Sequence, residues 1–190
     1  TEWIKKKTKS KNVVMLLSSK KISVALATTH IPLAEVAKNI QKSKLIKLIQ
    51  ILHLGLQKKL KIKNPSITVL GLNPHAGENG KIGAEEIKKI NPAIKVCKEM
   101  GINASYAISA DTAFNVKKLK QTDAYLAMYH DQALPVLKAL SFGEAVNITL
   151  GAPIVRTSVD HGTAIDIAGK IKPNLGSIKE AIKAAEIQLQ

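Results

Sequence analysis

The chain alternates between apolar segments of strand length and longer amphipathic segments, and this alternation constrains the fold more than any other feature. Apolar runs predict strands over residues 13–17, 22–28, 66–72, 104–108, 125–129 and 146–149. Apolar residues that recur every three or four positions predict helices over residues 42–60, 84–90, 92–101 and 178–189. Strands that alternate with helices predict an α/β fold, a three-layer α/β/α sandwich around a largely parallel or mixed sheet.

Lysine dominates the charged residues: among 29 Lys and Arg only Arg156 is an arginine, and the formal net charge is +15. The lysines are spread along helices and turns, and 3% aromatic residues are too few for a base-stacking surface, so we expect no nucleic-acid partner. The sequence has no run of 18 apolar residues, so no membrane-spanning helix is predicted. The single cysteine, Cys97, excludes an intramolecular disulfide and fits a reducing cytoplasm.

Three of the five histidines follow predicted strands directly, at positions 30, 75 and 130. Ligands of open α/β sheets bind beyond the carboxyl ends of strands, so His30, His75 and His130 could converge there. Three imidazoles suit a divalent metal ion with open positions for a substrate. The alternative is three unrelated polar histidines at the rim of the sheet. His53 lies inside an apolar helical pattern, which favours a core or boundary position.

Arg156 lies in a polar, glycine-containing stretch between predicted strands. A guanidinium forms planar, two-pronged hydrogen bonds to phosphate or carboxylate, which a lysine cannot do. The turn over residues 151–153 would bring Asn147 and Arg156 to one ligand. Lys138, about two helical turns after His130, could reach the same anion. The alternative for Arg156 is a solvated loop without function, and for Lys138 an ordinary surface lysine.

Two carboxylates accompany these residues, and with His130 they form the candidate catalytic set. Asp131 could orient an imidazole, and Asp111 follows a predicted strand in the same manner. The alternative for both is a helix N-cap, and both roles can hold together. Residues 161–170 form a loop of small, hydroxyl and carboxylate residues that a nucleotide could approach closely, although no Gly-x-Gly-x-x-Gly motif or P-loop is present.

Several long motifs resemble one enzyme family, the 4-hydroxythreonine-4-phosphate dehydrogenases of pyridoxal phosphate biosynthesis. The motifs are ATTHIPL at 27–33, GLNPHAGE at 71–78, Asp111-Thr112, MYHDQ at 128–132, VNITLG at 146–151 and RTSVDHGTA at 156–164. They occur in the family's order and extend to about Lys170, so the resemblance covers nearly the whole chain.

The resemblance implies a set of site residues. It implies metal ligation by His30, His75 and His130, with zinc, magnesium, manganese or cobalt left open. It implies substrate contacts from Lys138, Asn147, Arg156 and Thr1, the last within a Gly-His-Thr-Glu motif. The loop after Arg156 is similar to the NAD-adenosine loop of isocitrate and isopropylmalate dehydrogenases. The predicted cofactor-binding residues are His161, Gly162, Thr163, Ala164 and Asp166, with NAD and NADP both open.

The resemblance also implies an activity and an organisation. The expected enzyme is a cytoplasmic homodimer with a shared metal site, and it oxidises and decarboxylates 4-phosphooxy-L-threonine. Residues 1–140 are expected to form a metal- and substrate-binding domain, and residues 141–190 a return segment that completes the cofactor domain. Family members are much longer, so we expect the C-terminal part of an isocitrate dehydrogenase-like subunit. The alternative is a truncated, non-catalytic remnant or a fragment that needs its missing N-terminal half.

Overall fold

The computed structural model of the chain describes residues 2–162, 165, 168–170 and 174–189. Within these residues the strands form one sheet in the order β3-β4-β2-β1-β5-β6. The strands are β1 (Val14–Ser18), β2 (Ser23–Leu26), β3 (Ile67–Val69), β4 (Ala124–Ala127), β5 (Val146–Leu150) and β6 (Thr157–Val159). Strands β3, β4 and β2 are parallel, whereas β1 is antiparallel to both β2 and β5, and β6 is antiparallel to β5. The sheet is therefore mixed.

Helices connect the strands on both sides of the sheet. The α-helices are α1 (Glu2–Lys7), α2 (Val36–Asn39), α3 (Lys42–Lys59), α4 (Asn91–Glu99), α5 (Ala110–Ala113), α6 (Val116–Gln121), α7 (Leu134–Ser141) and α8 (Gly176–Leu189). Short 3-10 turns span Leu33–Glu35, Pro74–Gly80 and His130–Gln132, and a π-helical turn spans Glu86–Ile90. No helix among the described residues is long and apolar enough to cross a membrane.

Each face of the sheet carries its own hydrophobic cluster, because side chains alternate along a strand. On one face, Leu16 and Ile148 belong to a cluster that includes residues of α3, α4 and α8. On the other face, Leu17 and Val24 belong to a cluster that includes residues of α5 and α7. Helices thus cover both faces, as the predicted three-layer arrangement requires. The isocitrate dehydrogenase-like type stays a prediction.

The predicted strand over residues 104–108 is wrong, because only isolated bridges form there, at Ala104 and Ile108. Side-chain oxygens accept the hydrogen bonds that backbone amides would otherwise donate to a neighbouring strand. Val69 N–H donates to Ser105 Oγ at 3.1 Å, and Ala107 N–H donates to Asn91 Oδ1 at 2.9 Å. Strand β6 was not predicted. Strand β5 pairs along its length with β1, so one sheet spans the predicted domain boundary at residue 140, and that boundary stays a prediction.

Candidate active site

Four strands end at the same edge of the sheet, which we call the carboxyl edge. Strands β2, β3 and β4 are parallel, and β5 runs in their direction because β1 is antiparallel to both β2 and β5. The register confirms this, since Val14 at the start of β1 pairs with Leu150 at the end of β5. The segments that follow β2, β3, β4 and β5 therefore gather at one edge, the usual ligand position of such sheets.

His30 and His130 meet at the carboxyl edge, as predicted from their positions after β2 and β4. Their ring centroids are 5.7 Å apart. Thr28, which is 8% exposed, ties the two strand ends together. Its N–H and its hydroxyl both donate to the carbonyl of Met128, at 3.1 and 2.7 Å. The approach of the two imidazoles is therefore fixed by hydrogen bonds just inside the edge.

Gln132 links the β4 end to the β3 end and so brings the His75 loop beside His130. Its Nε2 donates to the carbonyl of Gly71 at 2.6 Å, and its Oε1 accepts from Met128 N–H at 2.7 Å. His75 itself is exposed and lies in the turn Pro74–Gly80 that follows β3. The order of the strands places the three histidines along the edge as His75, His130 and His30.

The two candidate catalytic carboxylates line one cleft with His75. This cleft has a volume of about 350 Å³ and is lined by Asp111, Asp131, Asn73, Gln132 and other residues. Asp131 Oδ1 lies 2.7 Å from His130 Nδ1. With its proton on Nδ1, His130 donates to Asp131, and the Nε2 lone pair is left to bind a ligand.

Asp111 also lines the cleft, and its carboxyl pKa is lower than that of an ordinary aspartate. The Ser109 hydroxyl donates to Asp111 Oδ1 and lowers the pKa of that carboxyl, and the charge of the His75 imidazole acts in the same direction. Neither carboxylate is an N-cap, because the N-cap residues of these turns are Ser109 and Tyr129. For Asp131 the structure therefore supports the orienting role, through the contact of its Oδ1 with His130 Nδ1.

Asn147 is the second residue of β5, and Arg156 lies opposite Thr149, nearer the end of the strand. Asn147 pairs in register with Leu17, which belongs to the cluster on the α7 face, so its side chain lies on the face that carries Lys138 of α7. The Oδ1 atom of Asn147 is buried and has no hydrogen-bond partner among the described residues. Arg156 Nη1 is 3.4 Å from Thr149 Oγ1, a long contact for a hydrogen bond. Both side chains keep hydrogen-bonding capacity that a ligand could use.

The predicted cofactor loop is described only in part. His161 and Gly162 are exposed, and His161 Nδ1 lies 2.9 Å from the carbonyl of Gly162. Among the described residues, no atom lies within 4 Å of a Cβ built on Gly162. Thr163, Ala164 and Asp166 of this loop, and the predicted substrate residue Thr1, lie outside the described residues.

The three predicted metal-binding histidines do not surround a single point. Within the described part of the chain, no three His, Cys, Asp or Glu side chains form a group arranged to hold a metal ion. His30 and His130 are close, whereas His75 opens onto the adjacent cleft. The three-histidine metal site stays a prediction. His53 lies half-buried on α3 and not after a strand, in keeping with its predicted boundary position.

Three residues that shape the edge were not assigned a role from the sequence. Thr28 and Gln132 lie inside motifs next to histidines, but only the strand pairing shows which ends they join. Glu86 is buried, and its carboxylate accepts hydrogen bonds from the loop that carries His75. A signal for Glu86 exists in the sequence, because it precedes Ile90 and Ile94 at the four-residue spacing of a buried helical face.

Comparison with known proteins agrees with the motifs. Residues 1–185 match the family model "Pyridoxal phosphate biosynthetic protein PdxA". Among curated proteins, the 4-hydroxythreonine-4-phosphate dehydrogenase of Chromobacterium violaceum is 53% identical over 98% of the chain, and that of Pseudoalteromonas translucida is 50% identical over 100%. The chain spans 57% and 59% of the lengths of these two relatives.

Solved structures of similar proteins share the fold. The 4-hydroxythreonine-4-phosphate dehydrogenase from Klebsiella pneumoniae matches 100% of the chain with a TM-score of 0.88 at 35% identity, and the match covers 57% of that protein. A terephthalate 1,2-cis-dihydrodiol dehydrogenase from Burkholderia xenovorans matches 92% of the chain, and 55% of its own length, with a TM-score of 0.75 at 26% identity. Since the family model covers residues 1–185 and both curated relatives carry an enzyme name of the same pathway, the chain belongs to the PdxA family of pyridoxal phosphate biosynthetic proteins.

Proposed function

We propose that this chain carries the metal- and substrate-binding part of a dehydrogenase that acts on 4-phosphooxy-L-threonine. Hydride passes from the secondary alcohol carbon to NAD or NADP, and the hydroxyl proton passes to a base. The resulting β-keto acid loses carbon dioxide and, after protonation, gives 3-amino-2-oxopropyl phosphate. The observation that carries this proposal is the gathering of His30, His130 and the His75 cleft at one edge of the sheet, in a chain of the PdxA family.

The donor set fits a first-row divalent ion such as zinc or cobalt, and it fits magnesium, which prefers oxygen ligands, less well. Imidazole nitrogens suit first-row divalent ions, and the hydrogen bond between His130 Nδ1 and Asp131 leaves Nε2 free for coordination. His30, His75 and His130 would hold the ion. When bound, it supplies a positive charge that lowers the pKa of the substrate hydroxyl and stabilises the negative charge that develops on decarboxylation.

The residues of this chain then bind and orient the substrate. Arg156 and Lys138 supply positive charge for its phosphate or carboxylate, and Asn147 supplies a side chain whose oxygen has no partner within the described residues. Asp131 keeps the His130 ring in one orientation by accepting from Nδ1. The hydrogen bond from Ser109 lowers the pKa of Asp111, which favours its carboxylate form, so it can accept a hydrogen bond in the cleft.

The cofactor site would be completed outside the described residues. The exposed Gly162 fits the close approach of a nucleotide to the backbone, and Thr163, Ala164 and Asp166 would extend the same loop. We also propose that the enzyme is a homodimer with a shared metal site and works in a reducing cytoplasm, which suits the free, buried Cys97. The alternative, a non-catalytic remnant, is disfavoured because the family motifs that form the carboxyl edge are intact.

An assay of the full gene product tests this function directly. The purified protein is mixed with 4-phosphooxy-L-threonine, NAD or NADP, and Zn²⁺, Co²⁺, Mn²⁺ or Mg²⁺, while reduced nucleotide and carbon dioxide are measured together. We expect equal amounts of both products and loss of both after treatment with a chelator. Metal-independent turnover, or oxidation without release of carbon dioxide, would contradict the proposed reaction.

A further inference from the structure

Glu86 holds the loop that carries His75 through hydrogen bonds to its own buried carboxylate. The residue is 2% exposed. Its Oε1 accepts from the N–H of Leu72 at 2.7 Å and from the N–H of Asn73 at 2.8 Å, and its Oε2 accepts from Asn73 Nδ2 at 2.9 Å. These donors are backbone or amide groups that immediately precede Pro74 and His75, so the carboxylate fixes the point where the loop leaves β3.

The loop needs such support because its backbone is strained. Six successive residues, 75–80, have positive φ, from 43° at Glu78 to 90° at Gly80. Four of the six, including His75 at 51°, carry a Cβ that disfavours this conformation. Strained backbone persists only where the surrounding structure holds it in place, and it concentrates at functional sites.

The carboxylate of Glu86 also fills the inside of the turn. A Cβ at Gly71 would come within 3.1 Å of Glu86 Oε1, and one at Gly77 within 2.7 Å of Glu86 Oε2. The two glycines therefore leave the space that the carboxylate occupies between the start and the middle of the loop. Glu86 is the first residue of the π-helical turn Glu86–Ile90, a kind of distortion that often marks functional positions.

We propose that Glu86 is a positioning residue for His75. By accepting from Leu72, Asn73 and the Asn73 side chain, it keeps the left-handed turn closed so that His75 faces the cleft at the carboxyl edge. Glu86 does not touch the substrate, and it acts on the metal ion only through the loop. The link to metal binding rests on the proposed function, whereas the effect of Glu86 on the loop does not.

Neighbouring Glu85 provides a matched control. It is half-buried, and its Oε2 accepts from Asn73 Nδ2 at 2.8 Å but receives no backbone hydrogen bond from the His75 loop in the described contacts. That side-chain hydrogen bond from Asn73 lowers the pKa of Glu85. Removing Glu85 therefore takes away one acidic group and one contact to Asn73 while the bonds to the backbone of the loop remain.

The first measurement is amide hydrogen exchange in the wild type, Glu86→Ala, Glu86→Gln and Glu85→Ala. In Glu86→Ala we expect the amides of Leu72 and Asn73 to exchange at least about tenfold faster, since a hydrogen bond to a charged group is lost. Glu86→Gln keeps an oxygen acceptor and should retain most of the protection, as should Glu85→Ala. Amides of β4 report the global fold. Unchanged exchange at Leu72 and Asn73, or equal loss of protection in β4, would overturn the proposal.

The second measurement is calorimetric titration of the same variants with Zn²⁺ alone, beside His75→Ala. We expect Glu86→Ala to weaken Zn²⁺ binding by about tenfold or more, in the range for residues that support metal ligands, and Glu85→Ala to leave it unchanged. Full affinity in Glu86→Ala, where His75→Ala loses it, would overturn the positioning role. If His75→Ala binds Zn²⁺ like the wild type, the proposed metal site fails, and the exchange data still decide whether Glu86 holds the loop.

Discussion

At the scale of single residues, Arg156 is the side chain whose chemistry is hardest to replace. Its guanidinium lies near the end of β5 with only a long contact to Thr149 Oγ1, at 3.4 Å, among the described hydrogen bonds. If the guanidinium donates two parallel hydrogen bonds to an anionic group of the substrate, Arg156→Lys keeps the positive charge but loses this paired geometry. A hydrogen bond of this kind contributes about 1.5–3 kcal/mol, so the Michaelis constant for the phosphorylated substrate should rise roughly 10–150-fold.

Steady-state kinetics of the full gene product measure this effect, with the Michaelis constant for NAD as the internal control. The NAD constant should barely move, because the predicted cofactor residues begin only at His161. Substrate kinetics within about twofold of wild type would favour the solvated-loop interpretation of Arg156.

Residue chemistry was predicted from the sequence better than residue contacts. The positions of His30 and His130 after strands led to the correct expectation that they meet, and the rings lie 5.7 Å apart. The hydrogen bonds of Thr28 and Gln132 that join the strand ends depend on which strands are neighbours, and that order cannot be derived from local sequence. The left-handed turn at His75 was also missed, because it includes Ala76 and Glu78, whose residue types rarely adopt positive φ.

At the scale of elements, the turn after β5 depends on Gly151. Its φ is 82°, and a Cβ there would lie 2.8 Å from the backbone carbonyl oxygen of Asn12. Gly101 has nearly the same φ, 81°, but no atom of the described residues lies within 4 Å of an added Cβ. Both Gly→Ala substitutions should therefore cost the same backbone strain, about 1–2 kcal/mol, and Gly151→Ala should cost about 1–3 kcal/mol more because of crowding.

Urea unfolding of the Gly151→Ala and Gly101→Ala variants measures the difference in their free energies of unfolding. Equal destabilisation would show that the chain moves away from Asn12 at little cost, and that the turn is not held by this close approach.

The larger elements were predicted from periodicity, and the errors occurred where side chains replace the backbone ladder. Helices α3 and α8 and strands β1, β2, β4 and β5 lie where the apolar patterns indicated. The segment over residues 104–108 has an apolar pattern suited to a strand. The side chains of Ser105 and Asn91, however, accept hydrogen bonds from backbone amides that a strand ladder would use. Strand β6 is only three residues long and lies in a polar stretch, so its periodicity carried no signal.

At the scale of the whole molecule, the net charge and the chain length both bear on what the site can bind. A net charge of +15 attracts anions, which suits the phosphorylated substrate that we propose. The chain covers 57% of the length of the Chromobacterium violaceum relative. The carboxyl edge with its three histidines is nevertheless contained in this chain, and that makes it testable.

Metal binding by these histidines tests the central claim most directly. The full gene product and its His30→Ala, His75→Ala, His130→Ala and His53→Ala variants are titrated with Zn²⁺, and bound metal is measured after dialysis. Because one ion needs all three edge histidines, each of the first three variants should lose stoichiometric metal, whereas His53→Ala on α3 should bind like the wild type. Equal metal content in the wild type and in His75→Ala would contradict the three-histidine site and the function built on it.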